Sequence, residues 1–169
     1  MHMHTQAFPE LTRLYADLEA EQQRLGAACS GCGACCRFDV ADHVLYASDL
    51  ERRYLLAASG VPAEPDGDPE LASLIASGLR CPFQKDGRCE ARDGRTLGCR
   101  LHFCQWPKEK ESEEEAFCEA WHGRLKRLHD DLGLEWRYGP LFPLDIYEKI
   151  ESIEEKLLDV TRKDSMIVE

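Results

Sequence analysis

Nine cysteines constrain this chain more than any other feature: they stand at 29, 32, 35, 36, 81, 89, 99, 104 and 118, all within 90 of its 169 residues. No apolar run is long enough to span a bilayer, and Met1 to Gln6 lead into a polar helical pattern without the apolar centre of a secretion signal. The expected compartment is therefore the cytoplasm, where thiols are kept reduced, and an odd cysteine count there argues against a disulfide framework. Cysteines spaced this closely in a reducing compartment point to thiolate-bound metal.

The first cluster reads Cys29-Ser-Gly-Cys32-Gly-Ala-Cys35-Cys36, a C-x2-C-x2-C-C run. Two intervening residues let a pair of sulfurs converge on one ion, while Gly31 and Gly33 tolerate the positive φ that such a loop demands. Backbone N–H groups turned toward the sulfurs offset thiolate charge and tune the centre. Adjacent side chains tend to diverge, so Cys35 and Cys36 are expected to face two different sites, or one site and one structural position. The spacing differs from the C-x3-C-x2-C of radical enzymes that use S-adenosylmethionine, and that mechanism is not expected.

The second cluster comprises Cys81 and Cys89, then Cys99-Arg-Leu-His-Phe-Cys104. Asp86-Gly87 is a tight-turn dipeptide that should fold Cys81 and Cys89 together as the arms of a small hairpin. The candidate metal ligands are therefore Cys29, Cys32, Cys35, Cys36, Cys81, Cys89, Cys99 and Cys104, with Cys29, Cys32, Cys35 and Cys81 as the expected primary set. Cys118 sits within a helical pattern beside an apolar stripe, where a thiol serves as a small buried hydrophobe. Among the histidines, His102 is placed between two cysteines and could join them or remain an ordinary loop residue. His43, His122 and His129 carry no such signal.

At these residues the chain resembles the C-x2-C-x2-C-C, or YkgJ-type, cysteine cluster family, a zinc- or iron-chelating domain. Cys29, Cys32, Cys35 and Cys36 match its first motif. Cys81-Pro82-Phe83, Gly87 and Cys89 match its hairpin, and Arg95 with Cys99-Arg100 matches its last segment. The resemblance covers about 27–104. Thr96 stands where the family usually has proline and Arg92 where it often has tyrosine, and neither change removes a ligand. Some relatives look like flagellin lysine methylases, but these carry much additional chain and their reaction is not carried over.

Zinc and iron–sulfur clusters both accept four thiolates, and spacing alone does not separate them. The C-x2-C-x2-C run followed by a remote Cys81-Pro82 is similar to ferredoxin ligation, and eight cysteines exceed what one structural zinc needs. The first expectation is an iron–sulfur protein with a redox or electron-transfer role and a protein redox partner. The alternative is a zinc-stapled structural or interaction module with two thiolate sites. A third reading, an enzyme with an open metal position beside His102 or a free cysteine, is left open without a reaction assigned to it. The sequence contains no nucleophile–base pair, phosphate-binding glycine loop or His-Glu-x-x-His helix to specify a reaction.

Composition supplies the frame. A 43% hydrophobic and 31% charged chain is ordinary for one globular domain of this length, so residues 1–169 are read as a single domain. A cysteine core at about 27–104 precedes a helical part at about 112–160. The net charge of -11 argues against a nucleic-acid partner, and no membrane partner is expected. Acidic residues gather between Glu109 and Glu119, as a solvated helix start would. Apolar periodicity and end signals place helices near 9–25, 49–59, 69–77, 113–131 and 144–160. A short strand is expected within 38–46, a turn at 138–143, and irregular loops at 28–36 and 81–107. The fold class is mainly α with minor β, its helices wrapped around irregular metal-binding cysteine loops.

Overall fold

The computed structural model describes residues 6–38, 44–59, 80–102 and 106–141. The first helix, α1, spans Phe8–Leu25 and buries Leu11, Tyr15 and Leu18, three positions on one helical stripe. Pro9 suits its first turn, where an N–H has no helical acceptor. Gly26 ends it in the left-handed region, at φ 79°, where a Cβ would be strained. Ala27 N–H then reaches back to the Gln22 carbonyl at 3.0 Å, closing a Schellman-type cap.

Helix α2, Asp49–Ser59, begins on a capping box. The Ser48 N–H donates to Glu51 Oε2 at 2.7 Å, and the Glu51 N–H donates to Ser48 Oγ at 3.3 Å. A short helix α3, Leu97–Leu101, follows the hairpin region, and α4 spans Glu114–Asp131 after a 3-10 turn at Lys108–Glu113. Helix α4 buries Phe117, Trp121, Leu125 and His129, with Leu128 and Leu132 partly covered. These four helices share one apolar core containing Leu11, Leu18, Leu50, Leu97, Trp121 and Leu125. Burial of each such leucine contributes about 1.5–3 kcal/mol.

The described residues also form two small antiparallel ladders, and the architecture is mainly helical with minor strand. Strand β1, Tyr46–Ser48, pairs with β4, Tyr138–Pro140, in the register Ala47 opposite Gly139. The Leu141 N–H extends the ladder to the Leu45 carbonyl at 2.7 Å. Strands β2, Gln84–Lys85, and β3, Arg88–Cys89, form the hairpin. Asp86 at φ 48° and Gly87 at φ 74° give its turn the paired positive angles that Asp-Gly favours.

Three expectations change in detail. The strand placed within 38–46 begins only at Tyr46 among the described residues. The turn expected at 138–143 instead enters a ladder through Tyr138–Pro140, because β1 offers it backbone partners; Pro140 closes an edge where a missing donor costs little. The loop expected over 81–107 holds the expected hairpin but also α3, whose five residues are too few to show periodicity. The helices expected at 69–77 and 144–160 lie outside the described residues.

Candidate metal centre

The two cysteine stretches are joined by their backbones before any side chain is considered. The Cys81 N–H donates to the Cys36 carbonyl at 2.9 Å, and Arg37 and Arg80 form an antiparallel bridge. Gln84 Nε2 donates to the Gly33 carbonyl. Gly33 adopts φ 66°, and a Cβ there would lie 2.5 Å from the Gly87 carbonyl oxygen. Only glycine permits this approach of the first loop to the hairpin turn.

The contact between the stretches encloses a cavity of about 40 Å³. Its wall includes Cys29, Cys35, Cys36, Cys81, Cys89 and Cys99, backed by Leu45, Leu55, Phe83 and Leu141, with Arg92, Arg95 and His102 also on it. Cys36 and Cys81 are buried within a second core, distinct from the helical one, which also holds Phe38, Leu45, Ala47, Leu55 and Phe83. Cys35, Cys89 and Cys99 pack against that core. Residues 34–36 form a 3-10 turn, which carries both vicinal sulfurs to the same wall. Cys35 and Cys36 therefore do not diverge to separate sites.

Cys36 is the centre of a thiol network. Its sulfur lies within hydrogen-bonding reach of those of Cys35, Cys81 and Cys89, and these bonds, with burial, push its proton affinity far above that of an ordinary thiol. The complementary effect appears at Cys89, drawn down to about 6 chiefly by the Cys36 thiol, with help from the Ala91 backbone and Arg95 and against its burial. The network thus favours a thiolate at Cys89 facing a held proton at Cys36. Burial pushes Cys99 up to about 12, against the Thr96 hydroxyl that donates to its sulfur at 3.4 Å. Thr96 is fully buried just before α3.

Helix α3, which carries Cys99, is fixed from behind. Glu51 is fully buried, and its Oε1 accepts from the Leu97 N–H at 2.6 Å and from the Tyr15 hydroxyl at 2.8 Å. Arg100, stacked 4.1 Å over the Tyr15 ring, donates to the Arg95 and Asp93 carbonyls and pairs with Glu19. The segment 93–100 is thereby tied to α1 and α2, and Arg95 Nη1 is placed 3.9 Å from Cys29 Sγ.

The expected ligands are thus unevenly placed. Cys29, Cys35, Cys36, Cys81, Cys89 and Cys99 share one cavity. Cys32, in the expected primary set, is exposed and lies outside that wall. Cys104 is outside the described residues. Cys118 packs on the helical core, as its position in α4 suggested. His102 reaches the cavity wall, whereas His129 is buried edge-on to Trp136 and His122 bonds to the Tyr138 hydroxyl at 3.0 Å. His43 lies outside the described residues. Among the described residues, no three His, Cys, Asp or Glu side chains already frame a point for a metal ion. The sulfurs are gathered about Cys36 instead. In donor chemistry the set fits a soft metal: several thiols, an apolar backing and a cationic guanidinium nearby. Sequence reasoning missed Glu51 as the support of α3 and Thr96 as a donor to Cys99, since neither contact leaves a local signal.

Comparison of the chain with protein-family models, with curated proteins and with solved structures gives no match.

Proposed function

We propose that this protein is a thiolate metal-binding protein holding an iron–sulfur cluster, with a redox or electron-transfer role. The observation that carries the reading is the meeting of six cysteines, from stretches more than forty residues apart, around one apolar-backed cavity. Gathering them without a cation leaves mutually bonded groups, one of which resists losing its proton. A bound cation supplies the missing charge and displaces protons from the thiols.

Cys35, Cys36, Cys81 and Cys89 would hold the group, with Cys29 and Cys99 beside them. Six sulfurs at one cavity exceed the four that a single zinc takes, which favours a polynuclear centre. When bound, such a cluster supplies one-electron chemistry. The chain's own part is to gather the sulfurs, exclude water with Leu45, Phe83 and Leu141, and place the Arg95 charge beside Cys29. The resemblance to the cysteine cluster family includes these four cysteines, but it also includes Cys32, which is exposed and off the cavity wall. A zinc-stapled module is the second reading, favoured by the fact that the network around Cys36 contains four sulfurs, the number of a closed zinc site.

The test is metal and acid-labile sulfide analysis with an absorption spectrum on anaerobically purified full-length protein. The proposal expects iron and sulfide together with charge-transfer absorption in the visible blue, bleached by oxygen. Colourless protein with stoichiometric zinc would replace it with the second reading, and protein free of metal would refute both.

A further inference from the structure

The thiols bonded to Cys36 are those of Cys35, Cys81 and Cys89, and two thiols of the first loop are not among them. Cys29 is half-buried on the cavity wall, and Cys32 is exposed and off it. They end the run Cys29-Ser30-Gly31-Cys32, a C-x2-C spacing that serves disulfide exchange as well as metal ligation. Gly31 turns the chain between them at φ 72°.

Two guanidiniums border this loop. A Cβ on Gly31 would lie 3.5 Å from Arg92 Nη1, so the Arg92 side chain reaches the backbone between the two cysteines. Arg95 Nη1 lies 3.9 Å from Cys29 Sγ, and its Nε donates to the Arg92 carbonyl at 3.1 Å. The Arg95 carbonyl accepts from the buried Arg100 at 2.8 Å, which holds the segment in place. Both bordering arginines line the cavity, Arg92 exposed and Arg95 half-buried. Among the described residues, neither is in an ion pair. Guanidiniums so placed beside a reachable thiol suit a co-reactant that carries carboxylates, which arginine binds through paired hydrogen bonds.

We propose that Cys32 and Cys29 form a thiol–disulfide exchange site for a small carboxylate-bearing disulfide of the glutathione type, oriented by Arg92 and Arg95. The inference rests on the metal-centre reading only in leaving these two sulfurs out of the ligand set. In the first step the Cys32 sulfur attacks one sulfur of the small disulfide. A mixed disulfide forms on Cys32, the S–S bond of the co-reactant breaks, and its other half leaves as a thiol carrying the proton from Cys32. The Cys29 sulfur then attacks the Cys32 sulfur, closing a Cys29–Cys32 disulfide and releasing the second half as a thiol with the Cys29 proton. The two cysteines are together oxidised by two electrons, and one small disulfide is reduced to two thiols. An excess of the small thiol drives both steps backwards.

Full-length protein purified anaerobically and treated with glutathione disulfide, then quenched with acid and read by intact mass and peptide mapping, tests the idea. Cys29→Ser, which cannot complete the second step, should accumulate one glutathione adduct on Cys32, whereas the wild type should pass through that adduct to the Cys29–Cys32 disulfide. Arg92→Gln should slow adduct formation roughly tenfold with glutathione disulfide and leave it unslowed with cystamine, a cationic disulfide without carboxylates. Cys32→Ser should abolish the adduct and keep its metal. Adducts on Cys35 or Cys89 in preference to Cys32, equal slowing with both disulfides, or loss of metal from Cys32→Ser would overturn the proposal. Metal-bearing protein that takes no adduct would sink the exchange site alone. Metal-free protein that takes the adduct on Cys32 would sink the metal reading alone.

Discussion

Glu51 concentrates much of this structure's order in one carboxylate. Fully buried, it accepts from the Tyr15 hydroxyl, the Ser48 N–H and the Leu97 N–H, so a single side chain caps α2 and fixes both α1 and α3. Glu51→Ala strands three buried donors at once, and a loss of about 3 kcal/mol or more is expected in urea unfolding. Cys36 has the equivalent standing in the second core. Cys36→Ser should remove most of the bound metal, whereas Cys118→Ser, which alters a thiol on the helical core, should leave metal per chain nearly unchanged. His129 gives a pH signature: burial lowers its proton affinity, so the folded chain keeps it neutral while the unfolded chain binds a proton near pH 6.5. Stability is therefore complete above that pH and falls as pH drops below it. Between pH 7.5 and 5.5 the wild type should lose more stability in urea than His129→Phe does.

At the scale of elements, the helices and the hairpin were legible because their signals are local. Leu11, Tyr15 and Leu18 repeat at helical spacing, Ser48 and Glu51 form a capping box three residues apart, and Asp86-Gly87 writes its turn into two residues. The β1–β4 ladder was not legible, since Tyr138–Pro140 becomes a strand only through a partner some ninety residues earlier. In the sequence the candidate site showed which stretches meet and not which sulfurs: six of the eight cysteines line the cavity, Cys32 does not, and Cys104 lies outside the described residues. Counting showed that cysteines gather, but the 3-10 turn that turns Cys36 inward with Cys35 and leaves Cys32 exposed depends on the hairpin packed against it. Two glycines test that packing. Gly33→Ala places a Cβ 2.5 Å from the Gly87 carbonyl and should both destabilise the fold and empty the site of metal. Gly87→Ala meets nothing within 4 Å, so its cost should stay near the roughly 1 kcal/mol of a strained φ, with metal content retained.

At the scale of the whole molecule, the described residues form two unlike cores. One is apolar and helical, closed by Leu11, Leu50, Trp121 and Leu125. The other sets Cys36 and Cys81 among Phe38, Leu55 and Phe83. If the second core is completed by metal, chelation should act on it first. The helical far-UV signal should then be largely kept, while amides of 80–102 lose protection from hydrogen exchange. Uniform loss of protection across α1 and α4 would mean that the two cores fold as one. The central claim is that sulfurs from both stretches hold one metal centre, and X-ray absorption at the edge of the metal that copurifies tests it most directly. The account predicts a first shell of about four sulfurs near 2.3 Å, diminished by Cys36→Ser and by Cys81→Ser alike. A shell of nitrogen and oxygen, or a sulfur shell indifferent to both substitutions, would contradict it.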